Sequence, residues 1–189
     1  EALKRHADAV REANEHYDDI LVLAGVEVDI LPDGSLDLDE EVLAGLDWVT
    51  ASIHYNFNLA SDRMTERLIR AAGSGVVHAL GHPLARHIGK REPLAYDFDR
   101  VAAACAEHGV AMEINAQPER LDLPDAYARR AREAGAKLVI DTDAHSTDDY
   151  AFMRFGVMTA RRAWLRKEDV VNAAPRREME KRGRLHPPP

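Results

Sequence analysis

The chain has 189 residues, of which 46% are hydrophobic, 31% are charged and 6% are aromatic, and its formal net charge at pH 7 is −8. This length and composition suit one globular domain with a sizeable core, and they exclude a disordered chain, a collagen-like repeat and a coiled coil. The excess of acidic residues excludes bulk positive charge as the means of attracting a polyanion such as DNA, so any phosphate binding must depend on local groups or bound cations.

The predicted elements alternate between short apolar runs and amphipathic, alanine-rich segments. In chain order they are helix 2–17, strand 21–31, helix 39–44, strand 48–55, helix 61–72, strand 76–81, helix 97–108, strand 110–116, helix 124–134, strand 137–141 and helix 147–152. The runs are rich in valine, isoleucine and leucine, as buried parallel strands tend to be. Gly73, Gly109 and Gly135 each follow a predicted helix, where a left-handed C-cap is expected. The pattern predicts an α/β fold with parallel strands.

The predicted domain covers residues 1–175, and residues 176–189 are interpreted as a helix end and a disordered tail that finishes in three prolines. No uninterrupted apolar run approaches the ~20 residues that cross a bilayer, and the start of the chain lacks a signal-peptide pattern. Cys105 is the one cysteine, which excludes an internal disulfide and fits a reducing compartment. We therefore expect a soluble, cytoplasmic protein.

Polar residues interrupt the apolar runs at a regular interval. Glu27, His54, His82, Glu113 and Asp143 lie 27, 28, 31 and 30 residues apart, which is about the length of one βα unit. Each lies near the carboxyl end of its run, where parallel α/β folds gather catalytic groups. We expect these side chains to converge at one end of a barrel-like or strongly curved sheet.

The residue types in this set indicate metal chemistry. Histidines and carboxylates without thiols prefer hard or borderline cations such as Zn²⁺, Mn²⁺ or Fe²⁺. The candidate ligands are Glu27, His54, His82, Asp143 and His145, the last because it lies two residues after Asp143 in an extended segment. Glu27 is the candidate to bridge two ions. Ions ~3.5–4 Å apart would clamp the attacking and leaving oxygens of a phosphate ester, so the implied reaction is metal-assisted hydrolysis.

Several residues keep more than one interpretation. Glu113 is the candidate catalytic acid or base, but it could also bind metal or orient a ligand. Asp29 and Asp141 could be ligands, although capping or salt bridging is the commoner fate. Arg86 and Arg120 follow candidate ligands and could hold substrate phosphates, or they could be solvated surface charges.

At these residues the chain resembles the PHP (polymerase and histidinol phosphatase) domain, and most closely the C-terminal PHP domain of bacterial family X DNA polymerases. The matching segments are 23–37, 51–54, 80–83, 113–116, 120–123 and 142–146, and the similarity spans about residues 1–173. The motifs are specific as a set, whereas Gly-His-Pro at 81–83 or Asp-Ala-His at 143–145 alone would be weak.

The resemblance implies a distorted (β/α)7 barrel whose C-terminal face holds up to three Mn²⁺ or Zn²⁺ ions. It places Glu27, His54, His82, Asp143 and His145 on family ligand positions. It also implies Mn²⁺-dependent 3′–5′ exonuclease activity and DNA-end processing in repair, with a DNA 3′ end as substrate and upstream polymerase domains in the same polypeptide. Two alternatives stay open, namely a stand-alone small-molecule phosphatase of the histidinol-phosphatase type and a catalytically inactive structural module.

The chain departs from the family pattern at two places. The family opens with a His-x-His strand, whereas this chain starts at Glu1 without one, so we expect the first strand or strands to be missing and the metal loading to be partial. Ala85 stands where the family carries glycine, which is expected to alter the loop that leads to Arg86.

Overall fold

A computed structural model describes residues 1–17, 20–175 and 178 of the chain. The helices are α1 (Ala2–Asn14), α2 (Glu40–Leu43), α3 (Ser61–Ala72), α4 (Phe98–His108), α5 (Asp125–Glu133) and α6 (Met153–Arg162). The strands are β1 (Gly25–Asp29), β2 (Trp48–Ser52), β3 (Ala79–Leu80), β4 (Ala111–Asn115) and β5 (Leu138–Asp141). Short 3₁₀ helices cover Thr147–Phe152, Lys167–Asp169 and Val171–Ala173.

The five strands form one sheet in the order β1-β2-β3-β4-β5, and every neighbouring pair is parallel. Glu27 pairs with Thr50, Thr50 with Ala79, and Ala79 with Ala111, so the carboxyl ends of successive strands lie along one edge. This arrangement confirms the predicted α/β class with parallel strands and is compatible with a distorted, barrel-like PHP fold.

Burial explains why these segments became strands and helices. All five residues of β4 are buried, as expected of a central parallel strand. On α3, Met64, Leu68 and Ala71 recur at helical spacing and lie in the main hydrophobic core. Asp97 is the N-cap of α4, and its carboxylate accepts a hydrogen bond from the Arg100 backbone nitrogen. A core-facing stripe thus accounts for α3, and a local cap accounts for the start of α4.

The predicted left-handed glycines are confirmed in part. Gly109 (φ +70°) and Gly135 (φ +92°) lie in the left-handed region. The prediction for Gly73 is wrong, because its φ is −81° and its backbone nitrogen still donates to Ile69 O, which continues the helical pattern. The chain turns two residues later at Gly75, where φ is +84°.

Several other expectations concern the end of the chain and the membrane. The segment predicted as a helix at 147–152 is a 3₁₀ helix, and α6 follows it without having been among the predicted helices. The tail predicted at 176–189 lies outside the described residues apart from residue 178. Among the helices that the structure describes, none combines the length and the apolar character needed to span a bilayer.

Candidate metal centre

Three side chains from three successive strands and the turns that follow them meet at one point. Glu27 lies in β1, and His54 and His82 each follow the last residue of β2 and β3 by two positions. The Glu27 Oε1 atom lies 3.0 Å from His82 Nε2 and 3.4 Å from His54 Nε2. One ligand atom from each residue falls within 4.8 Å of the other two. The parallel register therefore brings together three of the side chains that the sequence spacing singled out.

The ring of His54 is oriented by Asp29. Its Nδ1 lies 2.5 Å from Asp29 Oδ1, and Asp29 shares a face of β1 with Glu27 because the two are two residues apart. With Nδ1 held by a carboxylate, Nε2 is turned toward Glu27, which is the usual arrangement behind a metal-binding histidine. The Glu27 carboxylate, and next the Asp29 carboxylate, raise the pKa of His54 to about 9, although burial acts in the opposite direction. Asp29 thus contacts the candidate ligand His54, so its role is more than a cap or a surface salt bridge.

His82 is the most buried member of the group, with 2% of its surface exposed. Neither ring nitrogen makes a hydrogen bond of normal geometry, although Glu27 Oε1 lies close to Nε2. Buried polar atoms in proteins are normally satisfied, so this imidazole lacks a partner of the kind that a cation would supply. Two imidazoles and one carboxylate form a donor set that fits Zn²⁺ or Mn²⁺.

The charge on Glu27 also suits a cation ligand. Burial raises the pKa of its carboxyl, but contacts from His54, His82 and Ser52 outweigh burial and hold the pKa below its ordinary value. The carboxylate is therefore ionised at neutral pH and available to a metal.

The backbone of His82 is held by Glu113 and by the close approach of Gly81. The Glu113 carboxylate accepts a hydrogen bond from the His82 backbone nitrogen. A Cβ atom on Gly81 would collide with Ser52 Oγ and would lie 2.7 Å from Thr50 Cγ2, so only glycine lets this strand end reach its place. Burial, followed by the neighbouring Asp141 carboxyl, raises the pKa of Glu113 well above its ordinary value. Of the three roles left open for Glu113, this geometry favours the orientation of His82.

Asp143 and His145 lie outside the group formed by Glu27, His54 and His82. Asp143 Oδ2 accepts a hydrogen bond of 3.1 Å from Asn115 Nδ2 and lies 3.6 Å from Arg120 Nε. His145 has 82% of its side chain exposed, and its Nδ1 lies 2.8 Å from the Asp143 carbonyl oxygen. The left-handed backbone at Asp143 (φ +45°) turns the chain between β5 and His145. The predicted ligand set is thus divided into the compact group of Glu27, His54 and His82 and a separate pair, Asp143 and His145.

Arg86 and Asp122 fasten two neighbouring loops to each other. Arg86 Nε donates to Arg120 O at 2.7 Å, and Arg86 Nη2 donates to Leu121 O. In return, the fully buried Asp122 carboxylate accepts from the backbone nitrogens of Leu84 and Arg86. Burial raises the pKa of Asp122 to about 6, while His82 opposes this shift. Sequence reasoning missed the role of Asp122, for which the Arg-Leu-Asp-Leu segment at 120–123 was the available signal.

The two arginines that could contact a phosphate differ in whether their donors already form hydrogen bonds. Two of the donors of Arg86 bind backbone carbonyls, whereas Arg120 keeps a buried Nη1 that has no hydrogen-bond partner. Arg120 is therefore the one better prepared to receive an oxyanion. Ala85 adopts φ +45°, a conformation that glycine prefers, in the loop that leads to Arg86.

A cavity of about 490 Å³ opens beside Glu27 and reaches Asp141. Its apolar walls include Val26, Trp48 and Val139, which belong to β1, β2 and β5. Because the first and last strands of the sheet line the same cavity, the sheet is strongly curved. This curvature agrees with the sequence-based expectation.

Comparison with known proteins identifies several relatives, although no family model matches the chain. The chain is 39% identical over 180 residues to the DNA polymerase/3′-5′ exonuclease PolX of Bacillus subtilis, and the match covers 95% of the chain and 32% of that relative. It is 34% identical over 141 residues to a probable phosphatase of Photobacterium profundum, covering 69% of the chain and 54% of the relative. A probable phosphatase of a Thermoanaerobacter species is 30% identical over 169 residues, covering 84% and 66%.

The chain thus spans between about one third and two thirds of the length of these relatives. The names of the relatives support a phosphoesterase function of the PHP type, and the grouped histidines and carboxylate suggest that this function depends on a metal. With its parallel α/β sheet and the ligand group at the strand ends, the chain belongs to the PHP family, as a domain related to the C-terminal domains of family X DNA polymerases.

Proposed function

We propose that this chain is the metal-dependent phosphoesterase domain of a family X DNA polymerase and that it hydrolyses DNA phosphodiesters from a 3′ end. The observation that carries the proposal is the group of Glu27, His54 and His82, in which a buried imidazole lacks a hydrogen-bond partner. The similarity to PolX over 95% of the chain supports a DNA substrate and polymerase domains in the same natural polypeptide. The proposed location is the cytoplasm, because that is where the DNA of a bacterium such as the source of the PolX relative lies.

Glu27, His54 and His82 would hold one ion, and Asp143 and His145 would supply further ligands beside them. A divalent cation such as Mn²⁺ or Zn²⁺ supplies Lewis-acid chemistry when bound, because it neutralises charge on a phosphate and eases the deprotonation of water. Glu27 is the member that contacts both histidines, which suits a carboxylate shared between ions. Asp29 and Glu113 would fix His54 and His82 in place.

Arg120 would bind the substrate phosphate. Its Nη1 has no hydrogen-bond partner, and its Nε lies 3.6 Å from Asp143, which is one of the candidate ligands. Arg86 would act on the same phosphate indirectly, since its contacts to Arg120 O and Leu121 O hold the loop that carries Arg120. These local positive groups would offset the net charge of −8 where a phosphate must approach.

The test is the hydrolysis of an oligonucleotide labelled at its 5′ end, with added Mn²⁺. We expect stepwise shortening from the 3′ end, and we expect His82→Ala to lose at least ~10²-fold of the rate because a metal ligand is gone. His108→Ala is the matched control, because His108 is exposed at the C-terminal end of α4 and outside the group. An unshortened oligonucleotide, or a His82→Ala variant as active as the parent, would contradict the proposal.

A second candidate is a small-molecule phosphatase, which the probable phosphatases among the relatives favour. Hydrolysis of a small phosphomonoester without any shortening of the oligonucleotide would identify this function. A chain that binds no Mn²⁺ or Zn²⁺ after purification without chelator would instead match the structural-module interpretation.

A further inference from the structure

Arg67 is a fully buried arginine, with 1% of its surface exposed, in the middle of α3. Burial of a guanidinium is costly unless its donors are satisfied. Here Nε donates to Leu31 O at 2.9 Å and Ile30 O at 3.1 Å, and Nη1 lies 3.2 Å from Tyr55 O. Nη1 also reaches Asn56 O at 3.4 Å, and Nη2 donates to Ile30 O. One side chain therefore binds four backbone carbonyls.

These carbonyls belong to the two segments that leave β1 and β2. Ile30 follows Asp29 directly, and Tyr55 follows His54 directly. Asp29 and His54 are the two partners of the 2.5 Å contact that turns the His54 ring toward Glu27. The planar guanidinium, with donors in a rigid fork, thus joins the segments that carry both partners.

We infer that Arg67 is a positioning residue of the metal centre, which acts through the placement of Asp29 and His54 and touches neither substrate nor metal. The inference rests on the proposed function, because it assigns Arg67 a part in that centre. Lysine cannot replace it fully, since an ammonium offers three donors around a single atom and lacks the fork that reaches both segments.

The first measurement uses the metal-free chain. The proton on His54 Nδ1 that faces Asp29 is expected to give a far-downfield proton resonance. Its absence from the spectrum of His54→Ala would assign the resonance to His54. In Arg67→Lys we expect this resonance to shift upfield or to disappear while the rest of the spectrum shows a folded protein. Arg70→Lys is the matched control, because Arg70 lies three residues further along α3, is exposed and contacts Asp33. Its resonance should equal that of the parent.

The second measurement is Co²⁺ affinity, with the visible absorption of bound Co²⁺ as a report on ligand geometry. Arg67→Lys should weaken Co²⁺ binding about tenfold and shift the absorption, as removal of groups behind the ligands does. In a His54→Ala background the same substitution should cause no further loss, because Arg67 acts through His54.

The other possible results of these two measurements also decide the role of Arg67. A folded Arg67→Lys variant with an unchanged resonance overturns the inference, and so does an equal further loss of Co²⁺ affinity without His54. If the parent chain binds no Co²⁺, the proposed function fails, while the resonance still decides the role of Arg67. If Arg67→Lys does not fold, Arg67→Gln takes its place. Failure of both variants to fold would make Arg67 a core residue only and would overturn the inference.

Discussion

At the residue scale, the metal centre depends on side chains that orient other side chains. Asp29 holds one nitrogen of His54, and Glu113 holds the backbone of His82. The spacing of the strand-end residues brings Glu113 near His82, but it does not specify a hydrogen bond from the His82 backbone nitrogen, and the regular set does not include Asp29. The groups behind the ligands determine the directions in which the ligand atoms point.

Substitution of Asp29 should therefore weaken metal binding without unfolding the chain. Asp29→Asn removes the carboxylate that accepts from His54 Nδ1, so we expect Zn²⁺ affinity to fall about 10- to 100-fold. Isothermal titration calorimetry measures the affinity. Asp33→Asn is the control, because Asp33 is exposed and contacts Ser35 and Arg70. Equal affinity in parent and Asp29→Asn would show that this contact does not orient a ligand.

Cys105 offers a test of burial that is independent of the metal centre. Its side chain is buried on α4, and burial raises the pKa of the thiol to about 12. A higher pKa means less thiolate at pH 8, and thiolate is the reactive form. We expect almost no reaction with a disulfide reagent such as dithiobis-nitrobenzoate until denaturant is added. Rapid labelling of the folded chain would contradict the burial of Cys105.

At the element scale, the burial pattern of α6 explains why the sequence did not predict this helix. Its buried residues are Gly156 and Ala160, whereas Val157 and Met158 are exposed. A helix that packs through small residues and exposes larger apolar ones does not show the usual apolar stripe. Close approach to the sheet, and not apolar periodicity, sets the position of α6.

Gly156 makes that approach possible. A Cβ at this position would lie 2.5 Å from Ile140 Cγ2 and 3.1 Å from Ala116 Cβ. Gly156→Ala should gain up to ~1 kcal/mol of helix propensity but lose about 1–3 kcal/mol through overpacking, for a net loss of stability. Urea unfolding measures the change. Gly45→Ala is the control, because its Cβ would come no closer than 3.4 Å to Val42 O and should alter stability by less than ~0.5 kcal/mol. A stabilised Gly156→Ala would refute this packing argument.

At the scale of the whole molecule, the curved sheet makes ligand binding and folding interdependent. Glu27 lies in β1, and His54 and His82 follow β2 and β3, so the three side chains meet only when these strands are paired. A ligand that binds only the folded chain must stabilise it.

Metal binding should accordingly raise the unfolding temperature. At a Zn²⁺ concentration about 100-fold above the dissociation constant, the stabilisation should be about 2.7 kcal/mol, or roughly 5–10 °C for a domain of this size. A chelator should reverse it, and differential scanning calorimetry measures both changes. Glu27→Gln should lose most of the effect because it removes the carboxylate that faces both histidines. A shift of the same size in that variant would place the stabilising ion elsewhere.

The fold class and the location of the site could be predicted from the amino-acid sequence alone. Periodicity and burial are local properties, so the strands and most helices could be predicted, and the regular unit length placed Glu27, His54 and His82 at the same end of the sheet. Two features could not be predicted in this way: which of the candidate residues come together, and the binding of two Arg86 donors to backbone carbonyls. These outcomes depend on the backbone turns after each strand, such as the positive φ at His82 and Asp143. They also depend on contacts between residues far apart in the chain, which local pattern does not encode.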